Sequence, residues 1–418
     1  MSVLGVDEIN LSDMEFWKRP YSEREGAFRT LRAERPIGHF DEPVLGGSSI
    51  EFPAGNGYYA ITRHADIAEV SRRPEIFLSG PGAVSLLDLP TEMVEYFSGM
   101  ISTDNPKHAR LRRIVSNAFN PRNVRAVEDS IERVADEIIM QARTHGTGDF
   151  ILDVAAPFPL EIICSMMGVP RSEFPTVLRC SNIILSNSDT EFIPEGTDPV
   201  LAFLEAGATL TGIMADLGKY RIDQPIDDIT SALVNAEIES EKLTQQELAS
   251  FFVLLVTAGN ETTRTAIAHA LNAFGEYPDQ QRRLVEDYEG LAKTSTDEIV
   301  RWASPVIWMR RTLASDYTLS GFELKAGDKV VLYYNSANRD EDAFVNPYVF
   351  DVGRTPNDHY GFGAPGPHFC LGAHLARREI TVIWRELLSR APTIHASGPL
   401  DQLASSFVNG IKHLPYDF

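Results

Sequence analysis

Apolar residues recur at helical spacing along most of the chain and alternate only in short stretches. The pattern predicts helices over 23–35, 107–119, 123–145, 158–168, 172–186, 199–221, 279–287, 296–303 and 371–389. A loop at 187–198, carrying Pro194 and Gly196, separates two of them. The longest predicted helix runs from about Gln245 to Glu276. Thr244 and Glu247 form a capping box at its start, and Pro278 lies just past its end. At 1.5 Å per residue it is roughly 45–50 Å long, and an apolar middle on all sides places it across the centre of the protein. Residues 58–63, 306–313, 317–319 and 328–334 read as strands. The expectation is a mainly α protein with a smaller β portion from about 45–65 and 306–340, residues 1–418 forming one domain.

Two places break this regularity. The middle of the long helix reads TAGNETT over 257–263. Thr and Asn are poor helix-interior residues, and Gly costs about 1 kcal/mol there relative to Ala. Such local conflict marks either a kink with hydroxyls bonded back to the backbone or a functional site. Ala258 and Gly259 leave room for a flat group, with Glu261 and Thr262 supplying an acid and a hydroxyl beside it.

The second is YGFGAPGPHFCLGAHLARRE over 360–379. A lone cysteine, Cys370, follows a Gly/Pro-rich loop and stands at a helix start, where free N–H groups and the helix dipole favour a thiolate. Gly363, Gly366 and Gly372 permit close approach of a bulky flat group. From these residues alone, Cys370 is a thiolate ligand to iron, a nucleophile served by His368 or His374, or a plain helix-start cysteine.

The run resembles the haem-binding loop of cytochromes P-450, with Gly366, His368, Cys370, Gly372, Leu375, Ala376 and Arg377 in register. Phe362 and Gly363 lie one residue further from the cysteine than in the common pattern. TAGNETT resembles the family's oxygen groove, Ala/Gly-Gly-x-Asp/Glu-Thr. EIVR over 298–301, with Arg354 in FDVGR, is similar to its buried Glu298, Arg301 and Arg354 network. DNPKHARLR over 104–112 matches its propionate-binding helix.

What the resemblance implies is a haem-thiolate monooxygenase with haem b between the long central helix and the cysteine-loop helix, Cys370 as axial iron ligand and O2 as co-substrate. His108, Arg112, Arg311 and His368 are expected at the propionates, with Arg310 the rival of Arg311. Phe362 and Gly372 are expected at the haem, and Thr262 and Glu261 are expected to handle oxygen and its protons. Arg110 and Arg113 are expected on a solvated face. Ferredoxin and an NAD(P)H-dependent ferredoxin reductase are the implied electron donors.

Beyond the general motifs, stretches such as EIVRWASPVIWMRRTL are similar to mycobacterial methyl-branched lipid ω-hydroxylases. A terminal C–H bond of a methyl-branched fatty acid, isoprenoid or sterol side chain is the implied target. A terpenoid or polyketide natural product is the alternative substrate, and a haem sensor the alternative class. Leu86, Leu87, Phe97, Ile184, Phe192, Val306 and Trp308 are candidates for an apolar substrate pocket, core packing being the competing reading of each.

Composition narrows the field further. A net charge of −21 argues against nucleic-acid or anionic-membrane binding. Between 107 and 125, however, there are six Lys/Arg and no acid, which with Arg377 and Arg378 suggests a basic docking patch for an acidic donor. Three cysteines, Cys164, Cys180 and Cys370, make no disulfide framework. The N-terminus has no signal-peptide pattern, and the longest apolar run, Phe251 to Ala258, is too short to span a bilayer. A cytoplasmic protein without a transmembrane segment is the expectation.

Overall fold

A computed structural model describes residues 4–44, 48–50, 52–53, 55–118, 121–186, 189–193, 196–235 and 242–418, with side chains described outside 98, 117–118 and 121–129. The architecture is mainly helical with a smaller β portion. The central helix runs Gln245–Glu276, and its first turn is closed by the expected box. Thr244 Oγ1 accepts from Glu247 N at 3.1 Å, and Glu247 Oε2 accepts from Thr244 N at 2.9 Å. Helices Pro157–Met167, Phe174–Leu185, Pro199–Asp223 and Tyr288–Ala303 pack around it. The proximal helix Ala373–Arg390 packs against the central helix and against Pro121–His145. Ile267, Leu271, Phe274, Ile383, Trp384 and Leu387, all buried, join these helices into the largest apolar core.

The main sheet has strand order Ile37–Phe40, Tyr58–Ile61, Lys329–Tyr333, Trp308–Leu313 and Phe77–Leu78. Tyr58–Ile61 runs parallel to Lys329–Tyr333, and the other pairings are antiparallel. Met309 pairs with Leu332 and Arg311 with Val330. This register sets which side chains of Trp308–Leu313 face the molecule's interior cavity.

Three departures from the sequence reading stand out. The predicted helix 296–303 is the last half of Tyr288–Ala303, capped by Asp287, whose side chain accepts from Gly290 N. The cysteine-loop helix begins at Ala373, not 371, because Gly372 is its N-cap. Ile151–Ala155 forms a π-helical turn that no periodicity announced. Pro199–Asp223 is long and apolar enough to cross a membrane by length and composition alone. It carries Glu205, Asp216, Lys219, Arg221 and Asp223 and packs against Phe174–Leu185 and the central helix, so it is a helix of the folded body.

Candidate active site

A cavity opens between the central helix and the cysteine loop. Ala258, Gly259, Thr262 and Thr263 line it from one side, and Phe362, Gly363, His368, Cys370 and Gly372 from the other. The loop holds its shape through backbone geometry. Gly363 adopts φ +84°, which favours glycine, and a Cβ on Gly366 would stand 2.3 Å from Ser71 O. Within the loop, Phe369 N donates to Gly366 O. Cys370 N then donates to Phe362 O at 3.0 Å, and Phe362, with Arg377 4.3 Å over its ring, still lines the cavity.

Cys370 is exposed, but into this cavity. Burial pushes its thiol up, against the N–H groups of Gly372 and Ala373 and the charges of Arg112 and Arg377, which favour the thiolate. The helix start alone therefore does not make a free thiolate here. A metal ion bound by the thiol would deprotonate it outright.

At one edge the cavity is lined by nitrogen donors. The His108 and His368 rings lie tilted against each other with centroids 4.1 Å apart, and burial holds both rings neutral. His108 Nε2 is buried with no hydrogen-bond partner. Arg112 donates to Phe369 O at 2.8 Å, and the buried Arg311 donates to Arg310 O at 2.7 Å. Strand alternation separates the two arginines: Arg310 turns away, donating to Asp88, Ser85 O and Leu87 O. A lone thiol, an apolar slot and an orphaned buried donor beside two arginines fit iron protoporphyrin, whose two carboxylates need such partners. A Cβ on Gly372 would meet nothing within 4 Å, so the slot is open on the thiol side.

Behind the loop, Glu298 accepts from Arg301 Nε at 2.7 Å and from Arg354 Nε at 3.0 Å. The arginines also hold the carbonyls of Asn338, Pro347, Val345 and Val349. The three side chains come together, buried and fully hydrogen-bonded, away from the cavity.

The oxygen-groove residues divide. Thr262 faces the cavity and its hydroxyl donates to Ala258 O at 2.6 Å. Glu261 does not line the cavity. It is buried in an ion pair with Arg264 and receives the Thr265 hydroxyl at 3.4 Å, while Arg264 reaches Asn182 at 3.0 Å. Burial pushes the Glu261 carboxyl up and Arg264 pulls it back. The expectation that Glu261 stands beside the groove fails because successive helix residues point about 100° apart.

The substrate-pocket expectation fares worse. Only Val306 of the seven lines the cavity. Leu86 and Trp308 belong to a core cluster with Trp17 and Phe28, and Trp308 Nε1 donates to Ser406 O. Leu87 is half-buried in the loop and engaged through its carbonyl. Phe97 packs against Gly207 with its ring tilted on that of Phe203, centroids 4.2 Å apart. Ile184 packs on the main core, and Phe192 lies in a turn. The apolar wall is instead Met100, Ile101, Ile163, Phe251, Leu254, Leu255 and Met309. Period-two alternation on 308–313 would have picked Met309 over Trp308.

Four cations of the expected basic patch are paired with acids in space. Lys107 pairs with Glu95, Arg110 with Glu247, Arg377 with Asp297 and Arg378 with Glu132. Arg110 is thus tied to the first turn of the central helix rather than solvated. The side chains of Arg122 and Arg125 lie outside the described residues.

Comparison with known proteins agrees with this geometry. A family model described as Cytochrome P-450 matches residues 216–409. Methyl-branched lipid omega-hydroxylase of Mycobacterium tuberculosis is 43% identical over 413 residues, 98% of this chain and 94% of that protein. Steroid C26-monooxygenase of Mycolicibacterium smegmatis is 37% identical over 392 residues, 93% and 89% of the two chains. A Mycobacterium marinum cytochrome P-450 solved in complex with pseudoionone superposes with a TM-score of 0.92 at 41% identity, covering 100% of both chains.

Proposed function

Since this chain belongs to the cytochrome P-450 family, we propose that it inserts one oxygen atom into a terminal (ω) C–H bond of a methyl-branched lipid, with electrons supplied by a ferredoxin. Haem b is the family's cofactor and O2 its co-substrate; the thiolate-bound iron supplies oxygen activation, its ligand favouring O–O cleavage.

The chain's own residues do the rest. In this reading Cys370 would hold the haem iron, while His108, Arg112, Arg311 and His368 would hold the propionates. Thr262 presents a hydroxyl to the reacting oxygen, and Glu298, Arg301 and Arg354 fix the framework behind the loop. The observation that carries the substrate class is the wall facing Thr262. Apart from Thr262 and Thr263, the residues lining it from the central helix and from 100–101, 163, 306 and 309 are apolar. The charged and titratable lining groups are His108, Arg112, Arg311, Tyr334, His368, Cys370 and Glu379, which lie on the donor edge, the cysteine loop, the proximal helix and, for Tyr334, the segment just after strand Lys329–Tyr333. A hydrocarbon end is therefore accepted at the reacting position, whereas a carboxylate or hydroxyl there would be desolvated without a partner. Relatives named for methyl-branched lipids and for steroids are in keeping with this wall.

The test is product analysis with haem-loaded protein, ferredoxin, its reductase and NAD(P)H. A methyl-branched fatty acid should shift the Soret band and return its terminal alcohol. Hydroxylation at internal carbons, or no spectral shift with any branched lipid, would overturn the substrate reading.

A further inference from the structure

Helix Pro199–Asp223 presents an apolar face that the fold leaves open. Only 28% of its most apolar stretch is buried. Exposed positions recur three or four residues apart, at Leu201, Glu205, Ala208, Gly212, Ala215 and Lys219, with Ile222 in the following turn. Leu201 is 52% exposed and Ile222 57%. Large apolar side chains in line on one wetted face mark a contact surface.

The glycines of this helix place the centre of that contact. Gly is a poor helix-interior residue, so each needs a reason. Two have an internal one. A Cβ on Gly207 would collide with the Phe97 ring, and one on Gly218 would stand 3.3 Å from Leu248 Cδ2. A Cβ on Gly212 would meet nothing within 4 Å, so no neighbour inside the molecule demands its missing side chain. What Gly212 offers is close approach to a backbone arriving from outside. Ala208 and Ala215, about one turn to either side, keep that approach low.

Charge decides what arrives. Glu205 and Lys219 stand seven residues to either side of Gly212. Seven residues fall about 20° short of two full turns, so both share the face of Gly212, each about 10 Å from it along the axis. We propose that two copies of this chain join through this face, their Pro199–Asp223 helices crossing antiparallel at Gly212 about a two-fold axis. Glu205 of one copy then meets the partner's Lys219, and symmetry forms the same pair a second time. Leu201 covers the partner's Ile222. A parallel crossing would instead set Glu205 against the partner's Glu205. Within one chain the two groups are free to make these pairs. Lys219 is 4.0 Å from Asp216 with both side chains exposed, and among the described residues Glu205 forms no ion pair. An anionic lipid surface fits the face poorly, because it carries Glu205, Asp216 and Asp223 on a chain of net charge −21. One helix crossing is at the small end of specific interfaces, so the dimer should be weak and form as concentration rises.

The test is sedimentation velocity of the full-length holoprotein over a range of concentrations. The wild type should pass from one-chain to two-chain values as concentration rises. Gly212→Leu puts a bulky side chain at the crossing and disturbs nothing inside the molecule, so it should stay at the one-chain value. Glu205→Lys and Lys219→Glu should each weaken association about tenfold or more, since each sets like charges against each other at both symmetric places. The double reversal, Glu205→Lys with Lys219→Glu, should restore association, which a misfolded variant would not do. None of these residues lines the cavity, so haem content should match the wild type in every variant. A wild type that stays at the one-chain value throughout, a dimer that survives Gly212→Leu, or a double reversal no better than the single ones would overturn the proposal. So would a one-chain wild type that floats with phosphatidylcholine–phosphatidylglycerol vesicles, which would assign the face to lipid.

Discussion

At the scale of single residues, the structure concentrates its strongest dependencies on a few buried charges. Glu298 holds two arginines that have no water to fall back on. Its replacement by Ala should destabilise the protein by about 3–5 kcal/mol, read as a lower urea midpoint with early haem loss. Thr262→Ala, which removes a hydroxyl from the cavity wall without opening the core, should leave stability nearly unchanged while shifting electrons from product to hydrogen peroxide. Glu379 ties stability to pH. Its carboxyl is held near 8 in the folded chain against 4.5 in the unfolded one, so the folded state keeps a proton that the unfolded state releases. Stability should therefore fall as pH rises from 4.5 to 8 and level off beyond, and Glu379→Gln should flatten that slope in denaturation curves.

At the scale of elements, alternation decides function along Trp308–Leu313. Met309 and Arg311 line the cavity, while Trp308 and Arg310 turn to the opposite side. Met309→Ala should change which substrates shift the Soret band and leave folding largely intact. Trp308→Ala should cost about 3–5 kcal/mol of stability without changing regiochemistry. The same strand shows what sequence can and cannot reveal. The central helix was legible end to end because its capping box and Pro278 are local signals, and the Cys370 loop because its glycines answer a local backbone demand. The substrate wall was not, because Phe97, Ile184 and Trp308 are as apolar as Met100 or Leu254. Only tertiary packing tells a core residue from a cavity residue. Glu261 was misplaced for a related reason: adjacency to Thr262 in sequence is divergence on a helix. Glu379 carried one usable signal, an acid on the apolar side of the proximal helix between Arg377 and Ile380.

At the scale of the whole molecule, charge that looked local in sequence is redistributed by folding. Among the described residues, Lys107, Arg110, Arg377 and Arg378 meet Glu95, Glu247, Asp297 and Glu132 from distant segments. The interior sets the acid limit of the fold. His269, buried on the central helix and bonded to Asn409 O at 2.8 Å, has its ring lowered to about 4. The unfolded chain binds its proton first, so stability should fall as pH drops from about 6.5 toward 4, read as a descending melting temperature.

The central claim is that Cys370 holds haem iron as a thiolate between the central and proximal helices. It is tested most directly by the absorption spectrum of the dithionite-reduced protein under carbon monoxide. The account predicts a strongly red-shifted Soret band in the wild type and its loss in Cys370→Ala. A reduced carbon monoxide complex without that shift, or a variant that retains it, would contradict the account.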